Sequence, residues 1–293
     1  MKKLCLLVMG FFFLTAPMLA SPSGFSLKVG GGMSYFSVGE LNSVLTDWDR
    51  YIRVINQNIG GEMKAFHFGA DFAVEAVYHL SPKIGVGLAV GYGWAQKKGS
   101  THREYPGYEG QVRVDDTWTP KIRVIPITLS GYYTMPLNPK WSAVLGAGFG
   151  YYHVLFDFKN STQEYRPAGD SSFVSDFRAG RGTLGLQGSA AVEMSLSPFI
   201  SLYASCCFRL AYVSGFIGTR EMTWNDKSGS GVETDEDQTF WIYTYNYHDA
   251  GYINISFNET EPVSGGSSTR SGVHKGKIDI SGATLCLGAR IKF

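Results

Sequence analysis

Residues 83–95, KIGVGLAVGYGWA, alternate without a break. Ile84, Val86, Leu88, Val90, Tyr92 and Trp94 fall on one face, and Gly85, Gly87, Ala89, Gly91 and Gly93 on the other. Strict period two is a strand signature, since successive side chains point to opposite faces. Globular strands average about 5–6 residues, whereas a tilted strand crossing a bilayer needs about 9–11. The larger face closes on aromatics, as a lipid-facing strand does at the headgroups. A chain built from such segments has few options besides a closed membrane barrel.

The pattern recurs. It is read over 66–80, 141–155, 184–196 and 200–212, and less cleanly over 25–36 and 121–135. Pro126 sits inside the last of these and predicts a bulge. In 66–80 the large face runs Phe66, Phe68, Ala70, Phe72, Val74, Ala76, Tyr78 and Leu80. The final strand puts Ala283, Leu285, Leu287, Ala289, Ile291 and Phe293 on one face, against Thr284, Cys286, Gly288, Arg290 and Lys292. Eight strands result, over 24–37, 64–80, 83–96, 121–135, 141–156, 182–196, 199–215 and 277–293. Short Pro-bearing turns alternate with long loops over 38–63, 97–120, 157–181 and 216–276. The fourth loop holds a further hairpin, Thr239–His248 against Tyr252–Phe257, which reads as lying above the membrane; a ten-stranded barrel is the alternative.

The chain opens with Lys2 and Lys3, an apolar run from Leu4 to Leu14 and small residues up to Ala20. That is the order of a secretory leader, so residues 1–20 are read as a signal peptide and 21–293 as the barrel. No later run is apolar for long enough to cross as a helix. Lys and Arg total 26 against 25 Asp and Glu, and charged residues are only 17% of the chain. Neither a nucleic-acid footprint nor a disordered composition fits.

An alternating terminal strand ending in Phe293, behind a leader and seven similar strands, resembles the small bacterial outer-membrane β-barrel superfamily. That superfamily includes the OmpA membrane domain, OmpX, the opacity proteins and OmpW. The resemblance implies an all-β, eight-stranded antiparallel up-and-down transmembrane barrel with four long extracellular loops. It also implies Phe293 as the insertion signal, with lipid and the barrel assembly machinery as partners. Short periplasmic turns and an even strand number place both mature termini in the periplasm.

An eight-stranded interior is just wide enough for side chains to fill it. Inward faces rich in Gly, Ala and Ser leave room for Lys28, Asp71, Glu75, Glu193, Arg209 and Arg290, three basic and three acidic. Unpaired charges there are costly, so the expectation is a balanced network. Glu75 should contact Lys28 or Arg290, and Asp71 and Arg209 should reach towards each other. The alternative is a hydrated lumen. Cys207 and Cys286 fall at similar heights on neighbouring strands, so they either face each other as a disulfide or simply line the lumen.

One segment departs from period two. Leu41, Val44, Leu45, Trp48, Ile52 and Ile55 follow helical spacing, predicting a helix over about 40–56 that packs on another loop, over the barrel mouth or in the headgroups. His67 and Asp71, with Ser34 nearby, outline a catalytic grouping, but polar packing of the lumen explains them more simply. Gly146, Gly148 and Gly150 repeat at period two and form a small strand face, not a nucleotide loop. Glu233, Asp235, Glu236 and Asp237 lack the spacing of a calcium loop and read as solvated surface. No catalytic residue, metal or cofactor is assigned. The leading expectation is a non-enzymatic barrel presenting its loops to an extracellular ligand or supporting the envelope. A narrow channel for small molecules, apolar ones included, comes second, and an enzyme third.

Overall fold

The computed structural model describes residues 24–55, 59–107, 110–247, 250–262 and 269–293. The expected signal peptide over 1–20 lies outside them, as do His248 and Asp249 of the expected fourth-loop hairpin.

Eight strands close a ring: β1 (Phe25–Phe36), β2 (Phe68–His79), β3 (Ile84–Gln96), β4 (Gly110–Pro136), β5 (Trp141–Tyr165), β6 (Ser171–Ser195), β7 (Ile200–Leu210) and β8 (Gly282–Lys292). Each pairs antiparallel with its chain neighbours, and β8 returns to β1 through Lys28↔Arg290. Closure removes the exposed edges that an open sheet would carry. The second hairpin of the fourth loop stays outside this ring, so the ring has eight strands and not ten. Ile84, Val86, Leu88, Val90, Tyr92 and Trp94 all point outward and exposed, as do Leu184, Leu186, Leu285 and Leu287. This leaves a continuous apolar band around the wall.

Three boundaries differ from the sequence reading. β4, β5 and β6 run on into segments expected as loops, because 113–120, 157–165 and 171–181 keep pairing beyond the apolar band. There the outward face turns polar while the inward face keeps buried apolar residues such as Val114, Phe158 and Phe177. Pro126 causes no bulge: Val90↔Ile127 and Gly93↔Val124 keep one register, and the ladder merely skips the positions between them. Phe66 lies before β2 and is buried inside the molecule instead of facing outward.

The wall forks at the long-loop end. β6 pairs with β7 up to Leu186↔Leu210, then with Ile217–Asp226 from Gly180↔Ile217 upward. Between these ladders, 212–214 turns aside to pair with 277–279. Residues 181–185 therefore pair with β5 alone. The helix α1 spans Glu40–Ile55, within one residue of its expected end. Gly229–Tyr247 carries Ala250–Asn258 on one edge and Thr269–Lys275 on the other.

Candidate functional site: a two-tier lumen under an aromatic plug

Near the short-turn end, four charged side chains from four strands meet. Lys28 Nζ lies 3.6 Å from Glu75 Oε2 and 3.7 Å from Glu193 Oε1. Arg290 Nη1 donates to Glu193 Oε2 at 2.5 Å. Two cations face two carboxylates, so the tier is neutral, and all four side chains are nearly inaccessible. The Tyr132 hydroxyl donates to Glu75 at 2.5 Å, and Lys28 stands 4.4 Å from the Tyr132 ring centre. Lys28 thus gains both charge pairing and a cation–π contact in a buried site. Glycine makes the space: a Cβ on Gly87 would strike both the Glu75 carboxyl and the Tyr132 ring.

Higher up, Asp71 accepts from the Ser34 hydroxyl and, at 2.8 Å, from Thr284 Oγ1. Arg209 Nη1 is 3.8 Å from Asp71 and donates through Nε to the Ile280 carbonyl at 2.8 Å. Its guanidinium also lies 4.9 Å from the Phe36 ring centre. A cavity of about 160 Å³ touches both tiers.

All six charged residues named from the sequence therefore line the same lumen, in two groups. Tyr132 and Tyr203, which complete the lower group, were not singled out. The inward run Thr128, Ser130, Tyr132 carried the signal, since only one of the adjacent Tyr132 and Tyr133 can point in.

Of the two alternatives for the cysteines, the structure shows the unbonded one. Cys206, Cys207 and Cys286 are free thiols. Register sets Cys207 opposite Thr284 and Cys286 opposite Ser205, so the two lumen cysteines are diagonal and not facing. Counting heights from the strand ends missed this offset. The catalytic grouping is not assembled either. His67 Nδ1 meets the Phe36 carbonyl at 3.0 Å and its ring stacks on Tyr35, while Ser34 turns directly to Asp71.

Above the upper tier the interior changes chemistry. Phe156, Phe158, Phe177, Phe216, Phe240 and Phe257 are buried against one another. Phe177 and Phe257 stack with ring centres 4.1 Å apart, and Phe156 and Phe240 are 5.2 Å apart. α1 adds Leu41, Val44 and Leu45 to the same core, and its Ile52 is buried as well. Each fully buried apolar side chain of this size contributes about 2 kcal/mol. The apolar stripe of α1 thus covers the barrel mouth. Trp48 stacks on Trp118 of β4 at 5.2 Å. Asn42 ties the helix to Phe66 through both its backbone N–H and carbonyl, each at 2.9 Å. Burial opposes ionisation of Asp49, but hydrogen bonds from Arg53 and the Met63 N–H outweigh it and hold its pKa below the ordinary value of 3.8.

Phe293 closes the chain with its ring 5.7 Å from Phe25 and its N–H on the Phe25 carbonyl at 3.0 Å.

No family model matches the sequence, and no curated protein matches it. Among solved structures, the chain is similar to the outer membrane protein OprG from Pseudomonas aeruginosa, at 11% identity and a TM-score of 0.38, over 92% of this chain and 96% of that one. A major outer membrane protein from Thermus thermophilus aligns at 16% identity and a TM-score of 0.36, over 92% and 98%. The outer membrane protease OmpT from Escherichia coli aligns at 8% identity and a TM-score of 0.27, over 93% and 98%. No residue role is carried over from any of them.

Proposed function

We propose that this chain is an integral, non-enzymatic outer-membrane barrel that is closed to solutes and displays its folded loops outside the cell. The termini and short turns lie in the periplasm, and Phe293 ends the strand read by the barrel assembly machinery. One observation carries the reading: an aromatic core from β5, β6 and the fourth loop, covered by α1, fills the mouth above a charge-balanced lumen. Apolar packing of that density excludes ions and water. The apolar band around the ring supports the membrane location. Planar-bilayer recording of folded, loop-intact protein tests the closed state. Silence is expected, and reproducible single-channel steps would overturn it.

A second reading has its own support. Residues 181–185 lack a ladder partner on the β7 side, a slit in the pairing that Leu210 and Ala211 cover at Gly185, with Ala211, Val213 and Phe216 of the apolar core beside it. A narrow route for small apolar molecules would run there. Saturable uptake of such molecules by cells making the protein, abolished by a disulfide across the slit, would favour it.

A further inference from the structure

Beyond the plug, β5, β6 and the hairpin of Ile217–Asp226 with Gly229–Tyr247 continue as a raised wall. One row of its register runs Thr162, Phe173, Trp224, Gly231. The row beside it ends in Met222 and Glu233. Phe173 and Trp224 stay over a third exposed, although they sit among polar residues at the far end of the molecule. They line a cleft of about 420 Å³. That is within the roughly 300–1,000 Å³ of small-molecule sites.

The cleft is held in shape before any ligand arrives. Trp224 lies over Gly231, where any Cβ would collide with the indole. Lys227 runs across Gly169, clasping the tip of the third loop to the hairpin. Glu164 is fixed by the Tyr105 hydroxyl at 3.1 Å and by Arg166 at 2.8 Å. Asp226 caps the hairpin turn through the Ser228 N–H at 2.7 Å.

The chemistry of the lining is one-sided. Glu164, Asp226 and Glu233 supply three carboxylates, and among the described residues no Lys, Arg or His lines the cleft. Arg166 offsets Glu164 from outside and Lys227 stands beside Asp226 at the rim, so the three carboxylates outnumber the two nearby cations by one. A wholly apolar ligand would strip water from these carboxylates without replacing it. A phosphate or sulfate would meet like charge. An ammonium group satisfies both features at once: carboxylates attract it, and the faces of Trp and Phe attract it through their quadrupoles. Methionine adds a polarizable apolar wall.

We propose that this cleft is a binding site for an organic ammonium cation, with Trp224 and Phe173 as the aromatic platform and Glu233 as the main counter-charge. The proposal rests on the surface-display reading, because only an outward tip meets soluble amines.

The test uses the full chain folded in nanodiscs, titrated calorimetrically with spermidine and with choline. The neutral isostere 3,3-dimethylbutan-1-ol and the neutral sugar maltotriose serve as controls. Binding of at least one amine is expected, with neither control binding and with affinity falling as salt rises. Trp224→Ala should weaken it about tenfold and Glu233→Gln severalfold. Unchanged heat-modifiable gel mobility would show that the barrel is intact. Absence of amine binding at millimolar concentration, equal binding of the neutral isostere, binding of maltotriose alone, or indifference to both substitutions would overturn the site. A separate arm labels Ser228→Cys on intact cells with an impermeant maleimide. Failure to label would sink surface display while leaving the binding result in nanodiscs standing.

Discussion

Arg290 on β8 reaches past β7 to Glu193 on β6, and their 2.5 Å bond is buried at 3% exposure on both sides. The pair bridges over the inner face of β7 and links two strands that do not pair with each other. Glu193 also carries Lys28, so one carboxylate anchors two cations. Removing one partner from a buried pair costs about 3–5 kcal/mol, because the remaining charge stays desolvated. Glu193→Gln should lower the stability of the folded barrel by about 3 kcal/mol. Urea titration in lipid vesicles measures this. A joint Glu193→Leu, Arg290→Met replacement should recover much of the loss, and an equal or larger loss would mean the pair is net stabilising.

The plug is held by its aromatics, so truncating them should open a path. Phe240 and Phe257 are buried, and each contacts other rings of the core. Phe→Ala in a core costs about 3–5 kcal/mol. With both residues replaced by Ala, ions should pass the plug and slip intermittently through the charge tiers, so that flickering conductance replaces silence. A doubly substituted protein that stays silent while its loops become protease-sensitive would assign closure to the lumen network alone.

Docking of α1 should depend on acid. Asp49 takes 2.7 Å and 2.9 Å hydrogen bonds from Arg53 Nε and the Met63 N–H, and its pKa is depressed in the folded state. Its contribution is therefore complete above the ordinary aspartate value of 3.8 and disappears as pH falls through the lower folded pKa. Amide exchange at Met63 should quicken in that acidic window. Asp49→Asn should quicken it at neutral pH and remove that part of the acid dependence.

The two lumen cysteines should stay reduced in an oxidising medium. Their diagonal register implies Cα atoms about 7–8 Å apart, beyond the usual disulfide range of about 4.4–6.8 Å. Denatured, oxidant-treated protein should react with thiol reagent at Cys206, Cys207 and Cys286 alike. A loss of two thiols would show that the wall can shift to join them.

Deleting Phe293 should leave refolding in detergent nearly unchanged, since it removes one ring contact and one backbone hydrogen bond at the rim. In cells the same deletion should sharply reduce the folded, heat-modifiable form. Equal loss in both settings would make Phe293 a structural residue, not an assembly signal.

Period-two alternation determined the wall. A strand between lipid and a side-chain-filled lumen needs large apolar residues on one side and small or polar ones on the other, and that demand is written residue by residue. The same constraint told which charges face inward, and α1 was legible because its 3.6-residue period stands out from the rest. Three features were decided only in three dimensions. Register set Cys207 opposite Thr284 and left Cys286 facing Ser205, because turn geometry, not pattern, sets the offset between strands. The continuation of β4, β5 and β6 past the apolar band was hidden, since strands outside lipid need no lipid face. The plug was hidden most deeply. Phe156 of β5, Phe177 of β6, Phe240 of the hairpin and Leu41 of α1 are far apart in sequence, and their burial follows from the closure of the ring that holds them over one mouth.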